Sequence, residues 1–230
     1  MVNHGYDSLN TVLSPEVSDF VRAMVPPLDT VGQELEAHNA AAGFPIVGPE
    51  VGGVLRVLAR LTGATRVFEF GSGMGYSAYW IAPVLPADGT IVLTDFEESN
   101  LETAREFFER GGYVDRARFE TGDALESYRQ YDGPFDLVLV DNGSDEYVET
   151  FELVRSDVPR GGVICADNVM TGSAVDEELA LAAVQGDPDW DAMDASTRGI
   201  AEYLCHVRDD EEFDTILLPV GEGLVVSVKR

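Results

Sequence analysis

Three polar residues follow two apolar runs of the sequence and could together bind a divalent cation. Asp141 ends the run FDLVLVD, and Asp167 with Asn168 ends VICADN. Neighbouring parallel strands lie about 4.8 Å apart, so the ends of two such strands can converge on one ion. Two carboxylates and an amide oxygen form a hard ligand set that suits Mg²⁺ or Mn²⁺. The alternative is that Asp167 caps a turn and Asn168 supplies a left-handed bend.

A glycine-rich segment, EFGSGMGYS at residues 69–77, could bind a nucleotide. Gly71, Gly73 and Gly75 permit a tight turn and a close approach of a ligand to the next helix. A dinucleotide fingerprint would require glycine where Tyr76 stands, so the spacing favours a mononucleoside-type ligand over NAD. Such loops also serve plain strand-to-helix packing, and the glycines alone do not decide between the two.

Two further acids stand at the ends of predicted strands. Asp95 ends TIVLTD, where an acid can bind the two hydroxyls of a ribose. It could equally be a solvated acid in an acid-rich chain. Asp123 follows ARFETG and could meet the amino group of a base or cap the next helix. Their succession after a glycine loop favours ligand binding.

Alternating elements must position these residues. Apolar runs that predict strands cover residues 66–70, 90–95, 117–123, 135–141 and 161–168. Helical patterns lie between them, which predicts an α/β fold with a mostly parallel sheet. Two last runs, FDTILLPV and GLVVSVKR, are separated only by GE and predict an antiparallel hairpin. Ligands bind such sheets at the carboxyl ends of the strands, where the candidate residues stand.

The 230 residues predict one domain, residues 1–230. Within it, residues 1–43 predict an N-terminal helical extension. Residues 170–197, rich in Asp, Ala and Gly, predict a helix and a loop over the site.

The charge balance is strongly acidic. Asp and Glu total 42 against 15 Lys and Arg, which gives a net charge of −27, and the single lysine is Lys229. Such a surface repels nucleic acid and anionic membranes, so neither is expected as a partner. An acidic surface poor in lysine suits concentrated salt, which screens self-repulsion, and predicts a halophilic source. An acidic mesophilic protein would explain the charge but not the scarcity of lysine. Without a signal peptide or a membrane-spanning run, the expected location is cytoplasmic.

In their order, these motifs resemble the cation-dependent O-methyltransferases that use S-adenosylmethionine, the family of the catechol and caffeoyl-CoA enzymes. The resemblance extends from about Phe44 to the C-terminus. It rests on LTGATRVFEFGSGMGYSA, the acid at Asp95, TGDALE, FDLVLVD, GGVICADNV, TRGIAEY and LLPVGEGLVVSVKR. It implies a class I methyltransferase domain: a Rossmann-like, seven-stranded, mostly parallel sheet with helices on both faces. The family is often dimeric, so a homodimer is possible.

The resemblance also implies a role for each matching position. The residues on the methionine and sulfonium side of S-adenosylmethionine are Val47, Glu69, Gly71, Ser72 and Ser77. Asp95 would hold the ribose, and Asp123 with Ala124 would flank the adenine. Asp141, Asp167 and Asn168 would bind Mg²⁺ or Mn²⁺, which gives Asp141 a catalytic role. The acceptor would be a small catechol-like molecule, one of whose hydroxyl oxygens attacks the methyl group.

One position departs from the family pattern. The family usually has a lysine three residues after the first metal aspartate, as general base, and this chain has Ser144. The cation alone could acidify the acceptor, which is the favoured interpretation. Alternatively, Asp145 or one of His4, His38 and His206 could take the proton. Finally, the chain could bind S-adenosylmethionine with weak or no turnover, which is the alternative function. The glycine spacing disfavours an NAD-dependent dehydrogenase.

Overall fold

A seven-stranded sheet forms the centre of the protein. The computed structural model describes residues 13–170 and 175–230. The strands are β1 (Arg66–Phe70), β2 (Thr90–Asp95), β3 (Ala117–Thr121), β4 (Leu137–Val140), β5 (Val163–Ala166), β6 (Phe213–Leu218) and β7 (Leu224–Lys229). Their order in the sheet is β3-β2-β1-β4-β5-β7-β6. Strands β1 to β5 are parallel, and β7 is antiparallel to both β5 and β6. The predicted fold class and the closing hairpin are therefore confirmed.

Strands β3, β4 and β5 are shorter than the apolar runs that predicted them. Their polar end residues lie just beyond the last paired residue, because the chain turns there. Asp123 precedes a helix and accepts hydrogen bonds from its first turn. Asn168 has a φ of 60°, and Gly161 before β5 has a φ of 81°, so neither continues a strand.

Helices cover both faces of the sheet. Among residues 13–170 and 175–230, the α-helices are α1 (Pro15–Met24), α2 (Thr30–Ala42), α3 (Gly48–Thr62), α4 (Tyr76–Ile81), α5 (Glu98–Gly111), α6 (Ala124–Tyr128), α7 (Tyr147–Val154), α8 (Glu177–Val184) and α9 (Ala195–Arg208). Alternate strand residues enter opposite cores: Val67 packs with α2 to α5, and Phe68 with α6, α7 and α9. Burial on both faces explains the continuous apolar runs. None of these helices combines the length and the apolar character that a bilayer crossing requires.

The two predicted additions to the sheet are only partly described. Helices α1 and α2 form the described part of the N-terminal extension, and residues 1–12 lie outside the described residues. In segment 170–197, helix α8 packs against α9 through Ala180, Ala183 and Ala201. Residues 171–174 lie outside the described residues, so the predicted loop over the site is not tested there.

Candidate functional site

The carboxyl ends of β1, β4 and β5 lie side by side. Phe70 pairs with Val140, and Val140 pairs with Ala166. Asp141 and Asp167 each follow one of these paired residues. The Asp141 N–H donates to the Phe70 carbonyl at 2.9 Å, and the Asp167 N–H to the Val140 carbonyl at 3.2 Å. The backbone thus places the two aspartates at adjacent strand ends, as the sequence predicted.

Four acidic side chains influence one another at this edge. Burial raises the pKa of Asp141 well above its ordinary value, and the charges of Asp167, Glu69 and Glu222 raise that pKa further. Burial also raises the pKa of Asp167, and the charge of Glu222 raises it further. The backbone N–H of Asn168 acts in the opposite direction, because its hydrogen bond favours the charged form of Asp167. Asp167 is 1% exposed, and its Oδ1 has no hydrogen-bond partner among residues 13–170 and 175–230. Buried, unpaired carboxylates are costly, and a divalent cation would offset that cost.

The side chain of Asn168 is oriented by one hydrogen bond. Its Nδ2 donates to Oε2 of Glu222 at 2.6 Å, which leaves Oδ1 available to bind a cation. The φ of 60° confirms the left-handed bend, which is compatible with a ligand role. Two carboxylates and one amide oxygen therefore remain as an all-oxygen set, and such a set fits Mg²⁺ or Mn²⁺.

Glu222 is a residue of this site that the sequence interpretation missed. It belongs to the β6–β7 connection, and since β6 runs parallel to β5, that connection reaches the same edge of the sheet. The Met170 N–H donates to the Glu222 carbonyl at 2.9 Å. The available signal was an acid between two glycines in GEG, where Gly221 and Gly223 have φ values of 56° and 97°.

The glycine loop after β1 has the predicted tight turn. Gly71, Gly73 and Gly75 have φ values of 81°, 51° and 79°, in the left-handed region that glycine tolerates. A Cβ added at Gly71 would lie 2.2 Å from the carbonyl oxygen of Asp141. Gly71 therefore allows the loop to pass directly beside the end of β4, which brings the glycine loop and the aspartates into one site.

Glu69 is a fully buried acid beside this loop. Its side chain is 0% exposed and the Ser77 hydroxyl donates to Oε1, whereas Oε2 has no hydrogen-bond partner in the part of the chain that the structure describes. Burial raises the pKa of Glu69 to about 7, although hydrogen bonds from Ser77 and Ser72 favour the charged form. The Ser72 hydroxyl also accepts from the Thr94 N–H at 3.0 Å. A buried acid with one free oxygen fits a cationic group of a ligand.

Asp95 is half-buried, and its carboxylate accepts hydrogen bonds from three donors. The N–H of Gly73 donates to Oδ2 at 3.0 Å. Oδ1 accepts from the N–H of Glu97 at 2.8 Å and from Nδ2 of Asn100 at 3.1 Å. The carboxylate consequently has a fixed orientation at the end of β2.

The remaining predicted cofactor residues begin helices. Asp123 caps α6, since its Oδ1 accepts from the N–H groups of Leu125 at 2.8 Å and Glu126 at 3.1 Å. The cap alternative is confirmed, and contact with a base stays a prediction. Ala124 is the buried first residue of α6. Val47 immediately precedes α3, and its carbonyl oxygen would lie 3.3 Å from a Cβ at Gly221.

Ser144 begins a 3₁₀ turn between β4 and α7. Helix α9 packs closely on this turn, because a Cβ at Gly199 would lie 2.4 Å from the Ser144 carbonyl oxygen. The Tyr147 hydroxyl donates to the Asp167 carbonyl at 3.0 Å. The chain's single lysine, Lys229, instead contacts Glu212 at 2.6 Å from the opposite end of β7. The backbone of this turn is thus fixed by packing. Ser144 supplies a hydroxyl at the position where the resemblance implied a lysine amine.

The histidines proposed as alternative bases have other contacts. The His38 ring packs on Phe107, with 5.6 Å between ring centroids. Nε2 of His206 lies 2.6 Å from Oε1 of Glu152. His4 lies outside the described residues. Neither described histidine has a recorded contact with the strand-end aspartates.

A second group of possible metal ligands lies around His206. Atoms of Glu152, His206 and Asp210 lie within 4.8 Å of one another. The guanidinium of Arg155 already contacts Glu152 at 2.9 Å and Asp210 at 2.7 Å. Because this cation balances both acids, the group fits a metal less well than the aspartates at the strand ends.

An apolar cavity of about 240 Å³ lies between α8, α9 and the β6–β7 hairpin. Its lining includes Val169, Met170, Leu181, Leu204 and Leu217. Val169 directly follows Asn168 in the sequence, so the chain leads from the candidate cation ligands into this lining. Part of segment 170–197 therefore faces the cavity.

Comparisons with known proteins agree with this geometry. A family model described as O-methyltransferase matches residues 32–230. The match begins before Phe44, from which the sequence resemblance extends, and it includes most of α2. The catechol O-methyltransferase of Niastella koreensis is 29% identical over 205 residues, covering 84% of this chain and 93% of that protein. A putative O-methyltransferase of Mycolicibacterium smegmatis is 33% identical over 193 residues, covering 81% and 84%.

Solved structures show the same architecture. The O-methyltransferase TomG from Streptomyces achromogenes, in complex with SAM, has a TM-score of 0.77 and 25% identity, covering 93% of this chain and 96% of that chain. An O-methyltransferase from Bacillus cereus, in complex with SAH, has a TM-score of 0.78 and 26% identity, covering 94% and 97%. Both likenesses extend over nearly the whole chain.

Proposed function

Because the chain belongs to the O-methyltransferase family, we propose that it transfers a methyl group from S-adenosylmethionine to a hydroxyl oxygen of a small, catechol-like acceptor, assisted by a divalent cation. The observation that carries the proposal is the pair of aspartates at neighbouring strand ends, Asp141 half-buried and Asp167 buried. Asn168 directly follows Asp167, and its hydrogen bond to Glu222 uses the amide nitrogen rather than the amide oxygen.

The cation would be Mg²⁺ or Mn²⁺, held by Asp141, Asp167 and Asn168. When bound, it would lower the pKa of an acceptor hydroxyl and fix the direction of that oxygen. The buried setting supports this role, since an ion attracts a hydroxyl oxygen more strongly where water is excluded. Asp141 would have its catalytic role as a ligand of this ion.

The cofactor would lie along the glycine loop and the ends of β1 to β3. On the methionine and sulfonium side, it would meet Val47, Glu69, Gly71, Ser72 and Ser77. Asp95 would bind the ribose hydroxyls, and Asp123 with Ala124 would flank the adenine. Two observations support this placement: the left-handed glycines permit close approach, and three donors orient Asp95.

The acceptor proton would leave without a protein base at position 144. Ser144 cannot act as a lysine does, and Lys229 lies at the other edge of the sheet. The two described histidines contact other groups. We therefore favour acidification by the cation, which makes the rate rise with pH as the acceptor hydroxyl ionises.

The acceptor would be neutral or cationic. Glu69, Asp141, Asp167 and Glu222 bring four carboxylates to this edge, and one divalent cation offsets only part of their charge. An acceptor that carries phosphate or carboxylate groups would be repelled. The apolar cavity between α8, α9 and the β6–β7 hairpin would take an apolar part of the acceptor.

The test is methyl transfer from labelled S-adenosylmethionine to two matched catechols, one with an amine and one with a carboxylate. The assay runs in molar KCl from pH 7 to 10, with Mg²⁺ or with EDTA. We expect product that EDTA abolishes, that increases with pH and that forms faster from the amine. Product insensitive to EDTA would contradict the role of the cation. Cofactor binding without product from either catechol would favour the alternative, an S-adenosylmethionine-binding protein.

The surroundings of the protein follow from its surface. We propose a halophilic, cytoplasmic protein without nucleic-acid or membrane partners, because of its net charge of −27.

A homodimer through α1 and α3 would cover Phe20, Met24 and Leu61, which are 70%, 71% and 79% exposed. Sedimentation in molar KCl should then give a dimer for the wild type and a monomer for Phe20→Glu.

A further inference from the structure

The β6–β7 connection brings an additional carboxylate to the candidate cation ligands. Oε2 of Glu222 accepts a hydrogen bond from Nδ2 of Asn168 at 2.6 Å. The two residues are 54 positions apart in the sequence, so their contact depends on the insertion of β7 between β5 and β6. Because the bond uses the amide nitrogen, it determines where the amide oxygen of Asn168 points.

The backbone around Glu222 is held on both sides. A Cβ at Gly221 would lie 2.6 Å from Cγ2 of Val51, and one at Gly223 would lie 2.6 Å from Cγ of Met170. The Met170 N–H donates to the Glu222 carbonyl at 2.9 Å, and the Val169 N–H donates to the Gly223 carbonyl at 3.1 Å. The connection is therefore packed closely against α3 and is hydrogen-bonded to the segment that directly follows Asn168.

We propose that Glu222 is a positioning residue of the cation site: it fixes the Asn168 side chain with its amide oxygen toward the ion. This inference rests on the proposed function. Partners that orient metal ligands in this way typically change metal affinity by about 10- to 100-fold when they are removed.

The test measures Mn²⁺ affinity by isothermal titration calorimetry of the full chain, without cofactor or acceptor. We expect Glu222→Ala to weaken binding about 10- to 100-fold. The control, Glu211→Gln, removes one exposed acid before β6 and should change affinity by less than about 2-fold. Equal affinity of the wild type and Glu222→Ala would overturn the inference, whereas no Mn²⁺ binding by the wild type would overturn the proposed function itself.

A double-mutant cycle separates positioning from direct action on the ion. In an Asn168→Ala background, Glu222→Ala should change the Mn²⁺ affinity by less than about 3-fold, because nothing is left to position. Additive losses would overturn the positioning role. Glu222→Gln, which keeps an acceptor oxygen for Asn168, should lose less affinity than Glu222→Ala, and this comparison also decides the matter if Glu222→Ala fails to fold. Equal losses in the two variants would again contradict positioning.

Discussion

The two halves of the ligand-binding edge differ in how their acids are satisfied. At the ends of β2 and β3, Asp95 accepts three hydrogen bonds, and Asp123 accepts two from the first turn of α6. At the ends of β4 and β5, the half-buried Asp141 and the buried Asp167 lie beside other acids, and Oδ1 of Asp167 has no hydrogen-bond partner among the described residues. The acids of the β2–β3 half are thus satisfied without a ligand, and those of the β4–β5 half are not.

A single edge of the sheet is thus prepared for two kinds of binding. Carboxylates held by backbone N–H groups are stabilised and oriented at no electrostatic cost. Clustered carboxylates lower the stability of the empty protein, and a cation that neutralises them returns that free energy as binding. Ligand dependence should therefore be concentrated in the β4–β5 half, and only variants in that half should respond to metal removal.

The largest effect is expected from Asp167→Asn. The variant loses one of the two anionic cation ligands, so methyl transfer should fall by about 1,000-fold. In EDTA, however, its free energy of unfolding should not fall, because the substitution removes a buried repulsion. Asp132→Asn, an exposed acid before β4, is the control and should keep most activity. An active Asp167→Asn variant would contradict the assignment.

Gly71→Ala should lower the free energy of unfolding by about 4 kcal/mol. The new Cβ would meet the Asp141 carbonyl at 2.2 Å, at a φ of 81°, which combines backbone strain with overpacking. Gly112→Ala is a matched control, since its φ is 77° but no atom lies within 4 Å of the added Cβ. That variant should lose about 1 kcal/mol. Urea unfolding in molar KCl measures both, and equal losses would show that the close approach to β4 is unimportant.

The pH dependence of stability should reveal the raised pKa of Glu69. Its pKa in the folded protein, about 7, is above its ordinary value of 4.5. Between these values the unfolded chain ionises while the folded chain does not, so wild-type stability falls as pH rises through this window. Glu69→Gln lacks this loss and should gain about 3 kcal/mol relative to the wild type between pH 4 and pH 8.

The measurement is urea unfolding of both proteins in EDTA across that pH range. Ser77→Ala removes a hydrogen bond that favours charged Glu69, so this variant should show a larger loss than the wild type. Parallel stability curves for wild type and Glu69→Gln would contradict the burial of an ionisable acid at this position.

The smallest effect is expected in the β2–β3 half, whose acids already accept hydrogen bonds. Asp123→Ala removes the cap of α6 and should cost about 1 kcal/mol of stability, with or without Mg²⁺. Thermal unfolding at two Mg²⁺ concentrations checks this. A loss that depends on Mg²⁺ would mean that the two halves are not energetically separate.

The sequence predicted the sheet and most of the site because both depend on local patterns. Strands buried on both faces appear as continuous apolar runs, and their order follows from alternation with helices. Asp95, Asp141 and Asp167 were found because each directly follows such a run. The strand ends were predicted too far along the chain, since the cap at Asp123 and the bend at Asn168 place these polar residues beyond the last paired residue.

The rest depends on contacts between distant parts of the chain. Glu222 reaches Asn168 because β7 lies between β5 and β6, and apolar patterns do not specify that order. Gly199 is required because α9 packs on the backbone of Ser144, and Tyr147 matters because its hydroxyl meets the Asp167 carbonyl. Such contacts follow from tertiary packing, and single-sequence spacing carries no record of them.

The most direct test of the cation site is anomalous scattering from crystals soaked in Mn²⁺. One strong peak is expected between Asp141, Asp167 and the amide oxygen of Asn168. That peak should be absent in Asp167→Asn crystals. A peak instead at Glu152, His206 and Asp210, or none at the strand ends of the wild type, would contradict the assignment of the ion to the acids that follow β4 and β5.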